Sequence, residues 1–482
     1  MYDSIAYGFN DGCSRRMFLG RCMACAAGVS ITRFNRVMPF IHAVEAGAAS
    51  TVAARARVKL IFAYPDPDKP NWPNIGYDFN GQIREFQAKL TSSCPDIEFL
   101  PVTVTSGSAE VATGIINADP DVDGYVVYLV GCLWGDMSET IAASGKPTIF
   151  VDNLYAGSGE FLTSYARAKR EGRKIAAVSS SRFQDVVDAV RCFSCLSKLR
   201  SSTALVVGGK PDENIKAVYG TLMKEVAFSE INDSYGRVKP AEAAKWADTW
   251  VRGAEKVIEP SRKDIENAAG MYLAMLDLLK QNNAQAITVN CLGGIYSGNM
   301  VEAYPCLGFM QLDNDGLVGA CESDQRSTMT KLLMSYLTGR PGFISDPVID
   351  TSKNRIIYVH CVAPTKVFGP KGSSNPYHLR SHSEDRKGAC NRSLMPLGEM
   401  TTTVLFDHNK KQVIFHQGKT VENVDDDKAC RTKLAVEVKG DVDKLLEYWD
   451  EWGWHRVTFY GDLKRPVYTI ASLLGFGVIE EA

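Results

Sequence analysis

The chain has 482 residues, 45% of them hydrophobic and 23% charged, which is the composition of a globular protein with room for sizeable cores. Its 54 basic and 56 acidic residues leave a net charge of −2, which excludes the basic footprint of a nucleic-acid binder. No apolar run reaches the roughly 18 residues of a membrane span.

The N-terminus carries Ser14-Arg15-Arg16-Met17-Phe18-Leu19, the pattern of a twin-arginine signal. A weakly apolar stretch at 23–31 and small residues at 46–50 follow. The expectation is export to the periplasm or beyond, with a cytoplasmic location if the signal does not function. Residues 1–55 are therefore set aside as signal and linker.

From residue 56 short apolar strands alternate with helical segments. Strands are predicted at 57–64, 97–104, 123–131 and 146–153, and helices at 83–90, 108–118 and 136–144. A long helix follows in QDVVDAVRCFSCLSKL. This alternation predicts a doubly wound parallel sheet in an N-terminal α/β domain, 56–200. The pattern restarts at 203–209, with KAVYGTLMKEV read as helix, a long helical stretch near 239–281 and a buried strand at 284–292. That makes a second α/β domain, 201–345. After it the texture becomes β-rich: 355–364, 401–409, 411–418 and 433–440 read as strands, followed by a helix and a final strand. The fold class is two Rossmann-like α/β domains and a mainly β C-terminal domain, 346–482.

Thirteen cysteines are scattered along the chain. Cys192 and Cys195 share one helix face, and no matched second pair follows to complete a zinc site, so they read as buried thiols. No phosphate-binding motif survives inspection. GSGEF at 157–161 is a simple loop or a weak sugar contact beyond a strand end.

Six of the seven histidines lie in the last third: His360, His378, His382, His408, His416 and His455. Glu302, Glu322 and Asp324 lie just upstream. A site shared between the second and third domains would join these sets, and carboxylates with imidazole suit a hard divalent ion. Each residue also has a plain reading. Glu302 can be a solvated loop acid. Glu322 and Asp324 can cap the helix that begins STMTKLL. His360 and His455 can be core histidines, and His382 a loop residue.

Together, CLGFMQLDNDGLVGACESDQRSTMTKLLMSYLTG, IIYVHCVAP, LRSHSED and GWHRVTFYGDLKRPVYTIASLLGFGVI resemble the L-fucose/L-arabinose isomerase-like superfamily over roughly 284–482. The resemblance implies a divalent ion, Mn²⁺ first and Mg²⁺, Fe²⁺ or Co²⁺ as alternatives, held by Glu302, Asp324 and His455. Within the acid pair it favours Asp324 over Glu322. It implies aldose–ketose isomerisation through an enediol, with Glu302 and Asp324 also moving the proton. His360, His382 and Trp454 become further site candidates. It implies a small carbohydrate substrate and a trimer or hexamer, with Trp134 as a candidate contact to a neighbour's substrate. Trp454-His455 stands where relatives carry a His-His pair, SHSED replaces an aromatic-containing loop, and the export signal is unusual for enzymes of free sugars. Two alternatives stay open: an exported metal-dependent glycoside hydrolase or lyase on the same fold, and a non-catalytic two-lobed sugar-binding protein.

Overall fold

The computed structural model describes residues 55–482. The twin-arginine segment and His42 lie outside the described residues. Five parallel strands form the first sheet: β1 (Ala56–Ala63), β2 (Ile97–Val104), β3 (Gly124–Leu129), β4 (Thr148–Asp152) and β5 (Ile175–Val178). Their order is β2-β1-β3-β4-β5, so the winding reverses between β1 and β3. β3 and β4 are buried at every position, because helices cover both faces.

The loop after β3 ends at Trp134, which is 54% exposed and has a left-handed φ of 57°. Glu160 fixes this loop. Its buried carboxylate accepts the Leu133 and Trp134 backbone N–H groups at 2.6 and 2.8 Å and the Ser138 hydroxyl at 2.9 Å. GSGEF is thus the start of the helix Ser158–Arg170, with its acid turned inward. Gly157 is required there, since a Cβ would fall 2.0 Å from the Leu129 carbonyl oxygen.

The second sheet is also parallel: β6 (Thr203–Val207), β7 (Leu222–Val226), then, after the short β8 (Lys256–Val257), β9 (Ala286–Val289) and β10 (Val318–Ala320), in the order β10-β9-β6-β7. The segment KAVYGTLMKEV, expected to be one helix, is instead a helix end and the strand β7. Gly220, at φ 79°, closes Glu213–Tyr219 in the left-handed conformation and frees the next residues to pair with β6. The long helical stretch divides likewise into Pro240–Gly253 and Arg262–Gln281, with β8 and Pro260 between. Cys192 and Cys195 are buried free thiols on the helix Phe183–Arg200.

The remaining strands are β11 (Phe343–Asp350), β12 (Arg355–His360), β13 (Tyr377–Arg380), β14 (Cys390–Ser393), β15 (Met400–Asp407), β16 (Gln412–Asn423), β17 (Thr432–Val438), β18 (Arg456–Tyr460) and β19 (Gly477–Glu480). β15-β18-β11-β12-β17-β16 run antiparallel and close through β15–β16, making a six-stranded barrel. Closure removes the open edges that a sheet of such apolar strands would otherwise expose. β19 adds to β16 in parallel, and β13 pairs with both β14 and β8 in a small separate sheet.

No helix among the described residues is long and apolar enough to cross a membrane.

Candidate functional site

The loops after two parallel strands and the barrel strands β11 and β12 deliver side chains to one small cavity of about 40 Å³, and His455 packs against its acids. β9 ends at Val289, so Cys291 opens the next helix at the cavity wall. β10 ends at Ala320, and the chain turns through Cys321, Glu322 and Ser323. Glu322 and Ser323 both take left-handed backbone, at φ 60° and 55°. Consecutive non-glycine residues in this region cost strain, which concentrates at sites of function. The turn aims Glu322 into the cavity and sets Asp324 at the N-cap of the helix Gln325–Thr338.

On the barrel side, register does the work. Ser345 pairs with Arg456 between β11 and β18, so Asp346 lies beside His455. Asp346 pairs with Val359 between β11 and β12, so His360 lies on its other flank.

The result is a compact cluster of acids and imidazoles. His455 Nδ1–H donates to Asp324 Oδ2 at 2.9 Å. Its Nε2 lies 3.2 Å from Asp346 Oδ1 and 3.6 Å from Glu322 Oε2, yet is buried and makes no hydrogen bond. His360 Nε2 is 3.9 Å from Glu322 Oε1 and is likewise buried without a partner. The ligand atoms of Asp346, His360 and His455 all fall within 4.8 Å of one another, as do those of Cys321, Glu322 and His360.

Electrostatics reinforces this geometry. Burial opposes ionisation of Asp324, but His455 and the Ser327 N–H and hydroxyl overcome it and hold the carboxyl down to about 2. Burial likewise opposes charge on His455. Its contacts with Asp324 and Asp346 outweigh that and raise it to about 10. Asp346 is also pulled below its ordinary value, against burial, by His455 and His360. A proton on His455 therefore plays the part of a cation between carboxylates. A divalent ion at Nε2 would take its place.

The tautomers distinguish the two histidines. Donation from Nδ1 to Asp324 makes Nε2 the atom that would ligate once an ion displaces its proton, and a carboxylate behind a metal-bound imidazole is the usual support. His360 is wired the other way. Its Nδ1 accepts the Cys361 backbone N–H at 2.9 Å, and burial keeps the ring neutral, so Nε2 carries the proton. It faces the cavity as a donor.

The remaining sequence candidates scatter. Glu302 does not line the cavity: it is 61% exposed and pairs with Lys387 at 2.7 Å. His382 does line it, held by Asp385 at 3.3 Å. Trp454 is 61% exposed beside His455. Trp134 belongs to the first sheet's loop and does not line this cavity. Asp324 turns out to be both things at once, a helix cap and the partner of His455. Asp346 escaped the sequence reading. Its signal was an acid following the apolar start of FISDPVID, with a proline after it.

Asp324→Asn keeps the cap but removes the charge behind His455. It is expected to weaken retention of a divalent ion about 10- to 100-fold, read by equilibrium dialysis, with the fold intact.

No family model matches the chain. Among characterised proteins it is similar to the sulfoquinovose isomerase of Clostridium sp. (strain MSTE9), 24% identical over 306 residues, which cover 58% of this chain and 64% of that one. It is 23% identical over 143 residues to the sulfoquinovose isomerase of Alkalicoccus urumqiensis, covering 29% of this chain and 32% of that one. It is 22% identical over 190 residues to that of Priestia aryabhattai, covering 37% and 41%. The chain thus spans less than two thirds of the length of these relatives.

Proposed function

We propose that the protein is a divalent-metal-dependent sugar isomerase, interconverting an aldose and a ketose through an enediol, on a fold of the L-fucose/L-arabinose isomerase kind. The observation that carries this is His455 Nε2: a buried ring nitrogen without a hydrogen-bond partner, oriented by Asp324 and facing the carboxylates of Glu322 and Asp346. Glu322, Asp346 and His455 would hold the ion, and a set of two carboxylates and one imidazole suits Mn²⁺ or Mg²⁺. A bound ion would act as a Lewis acid on the sugar's carbonyl and neighbouring hydroxyl oxygens. The similarity to sulfoquinovose isomerases makes a hexose with an anionic sulfonate the first substrate to test.

The side chains divide the remaining work. Glu322 is the carboxylate with room to move, since its side chain is 41% exposed while Asp346 is 19% exposed. It takes the proton from one sugar carbon and returns it to the next. His360 Nε2–H donates to the sugar oxygen on which charge grows. Asp324 holds His455 in its ligating tautomer. Trp454 offers an exposed ring to the sugar.

The test is metal analysis of the purified protein, then incubation with sulfoquinovose and free aldoses followed by NMR. Conversion to a ketose of equal mass is expected, with chelation abolishing it. Absence of a retained ion, or a product that has lost a leaving group, would refute the isomerase. His360→Phe is expected to lower kcat about 10²-fold at unchanged metal content, because one donor to a developing oxyanion is worth about that much. His360→Gln, which keeps an N–H, should recover part of the loss.

A further inference from the structure

The walls of the cavity hold sulfur that isomerisation does not use. Cys291 and Cys321 close the ends of the neighbouring strands β9 and β10, and their sulfurs are 3.3 Å apart. Both are free and buried, yet both line the cavity, and Glu322, next in sequence to Cys321, opens it to solvent. A carboxylate oxygen of Glu322 lies within 4.8 Å of the Cys321 sulfur, in a cluster completed by His360 and not by Cys291, so the half-exposed Glu322 side chain has to turn to reach both sulfurs.

Two thiols at this distance can become a disulfide or grip a soft cation, and magnitudes separate these outcomes. A disulfide needs the sulfurs to close to about 2.05 Å, a movement of more than 1 Å between two strand ends fixed by their ladder. Two thiolates on a tetrahedral zinc-type ion, at about 2.3 Å each, sit about 3.8 Å apart. Opening by about 0.5 Å reaches that spacing. The third ligand follows from the tautomer of His360, whose Nε2 carries its proton and offers no lone pair. Glu322 is left as the oxygen donor.

We propose that Cys291, Cys321 and Glu322 form a second cation site, specific for thiophilic divalent ions such as Zn²⁺ and Cd²⁺. On binding, both thiols lose their protons to solvent and the sulfurs coordinate as thiolates; no electron is transferred. Hard ions, which prefer oxygen, gain nothing from the two sulfurs. Glu322 is common to this site and to the isomerase site, so a soft ion withdraws a carboxylate from the hard one. The competition rests on the function proposed above; the thiol site itself does not. The protein would then be inhibited by Zn²⁺ through capture of Glu322 rather than by replacement of the catalytic ion at His455.

Cd²⁺ titration of the Mn²⁺-loaded full chain tests this. The ultraviolet thiolate-to-Cd²⁺ charge-transfer band should rise and saturate at about one ion per chain. Cys291→Ser and Cys321→Ser should each abolish it, and Cys430→Ser, a thiol elsewhere on the same cavity, should retain it. The wild-type protein supplies a control independent of variant folding. Bound Cd²⁺ should protect Cys291 and Cys321 from alkylation, mapped by mass spectrometry. Protection of other cysteines, or no band in the folded wild type, overturns the proposal. The two readings fail separately. Stoichiometric Mn²⁺ with no Cd²⁺ band removes the thiol site alone, and a Cd²⁺ band in a chain that retains no Mn²⁺ removes the isomerase assignment alone.

Discussion

Asp346→Asn is expected to lower kcat/KM by at least about 10³-fold, or some 4 kcal/mol, and to abolish retention of the divalent ion proposed for this site. Glu302→Gln is expected to stay within about 2-fold of wild type, since an exposed ion pair contributes little. The contrast is sharp because the family resemblance points to Glu302, whereas Asp346 is the acid that the fold sets beside His455. Asp346 sits 3.2 Å from His455 Nε2, on a barrel strand whose register with β18 sets it beside that ring. Glu302 faces solvent and Lys387. Asparagine preserves the size and one oxygen of Asp346 but loses the charge that balances the cation, so the loss reports on electrostatics rather than on packing. Paired measurement of kcat/KM and bound metal decides the matter. An active, metal-replete Asp346→Asn would place the ion elsewhere, and an inactive, metal-free Glu302→Gln would restore the first assignment.

What the sequence shows and hides follows from the range of the interactions. The strands of the first sheet are short, mainly apolar segments between turns, so β1 to β4 could be read locally. β7 could not, because KAVYGTLMKEV has helix-forming composition on both sides of Gly220, and only pairing with β6 makes LMKEV a strand. β11 was hidden by its composition: the acid and proline that break FISDPVID as a strand pattern include the residue that faces His455. The proximity of Asp324 and His455, 131 positions apart, came through a family resemblance and not through local pattern. Which acid joins them depends on the register Ser345 to Arg456, a pairing between strands more than 100 residues apart. No local periodicity encodes that register. The barrel's closure through β15 and β16 is likewise a long-range outcome of strands that read individually as ordinary β segments.

The second large effect concerns stability. Glu481→Ala is expected to cost about 3–5 kcal/mol, measured as a fall in the denaturant midpoint at unchanged m-value. Glu481 follows β19 and accepts from Arg456 at 3.0–3.2 Å and from His416 Nδ1–H at 2.8 Å. Arg456 is fully buried, and its other N–H groups go to the carbonyls of Trp449, Gly453 and His455. Tyr358 continues the cluster by bonding to His416 and accepting the Thr403 hydroxyl at 2.8 Å. Removing the carboxylate leaves a guanidinium charge without its counter-ion in a dry interior, the costly way to break a buried pair. The substitution Glu481→Leu combined with Arg456→Met should recover most of the loss, because no charge then stays unpaired. The pH dependence has a definite sign. Burial resists ionisation of Glu481, yet Arg456 and His416 hold its folded pKa below the ordinary value. Its contribution is therefore present above the unfolded pKa of about 4.3 and lost as pH falls through the lower folded value. Wild type should lose stability over that acid range more steeply than the Leu/Met double variant. Arg456 also donates to the His455 carbonyl, so the same cluster fixes the ring that faces the carboxylates, and Glu481→Ala should loosen metal retention before it unfolds the barrel.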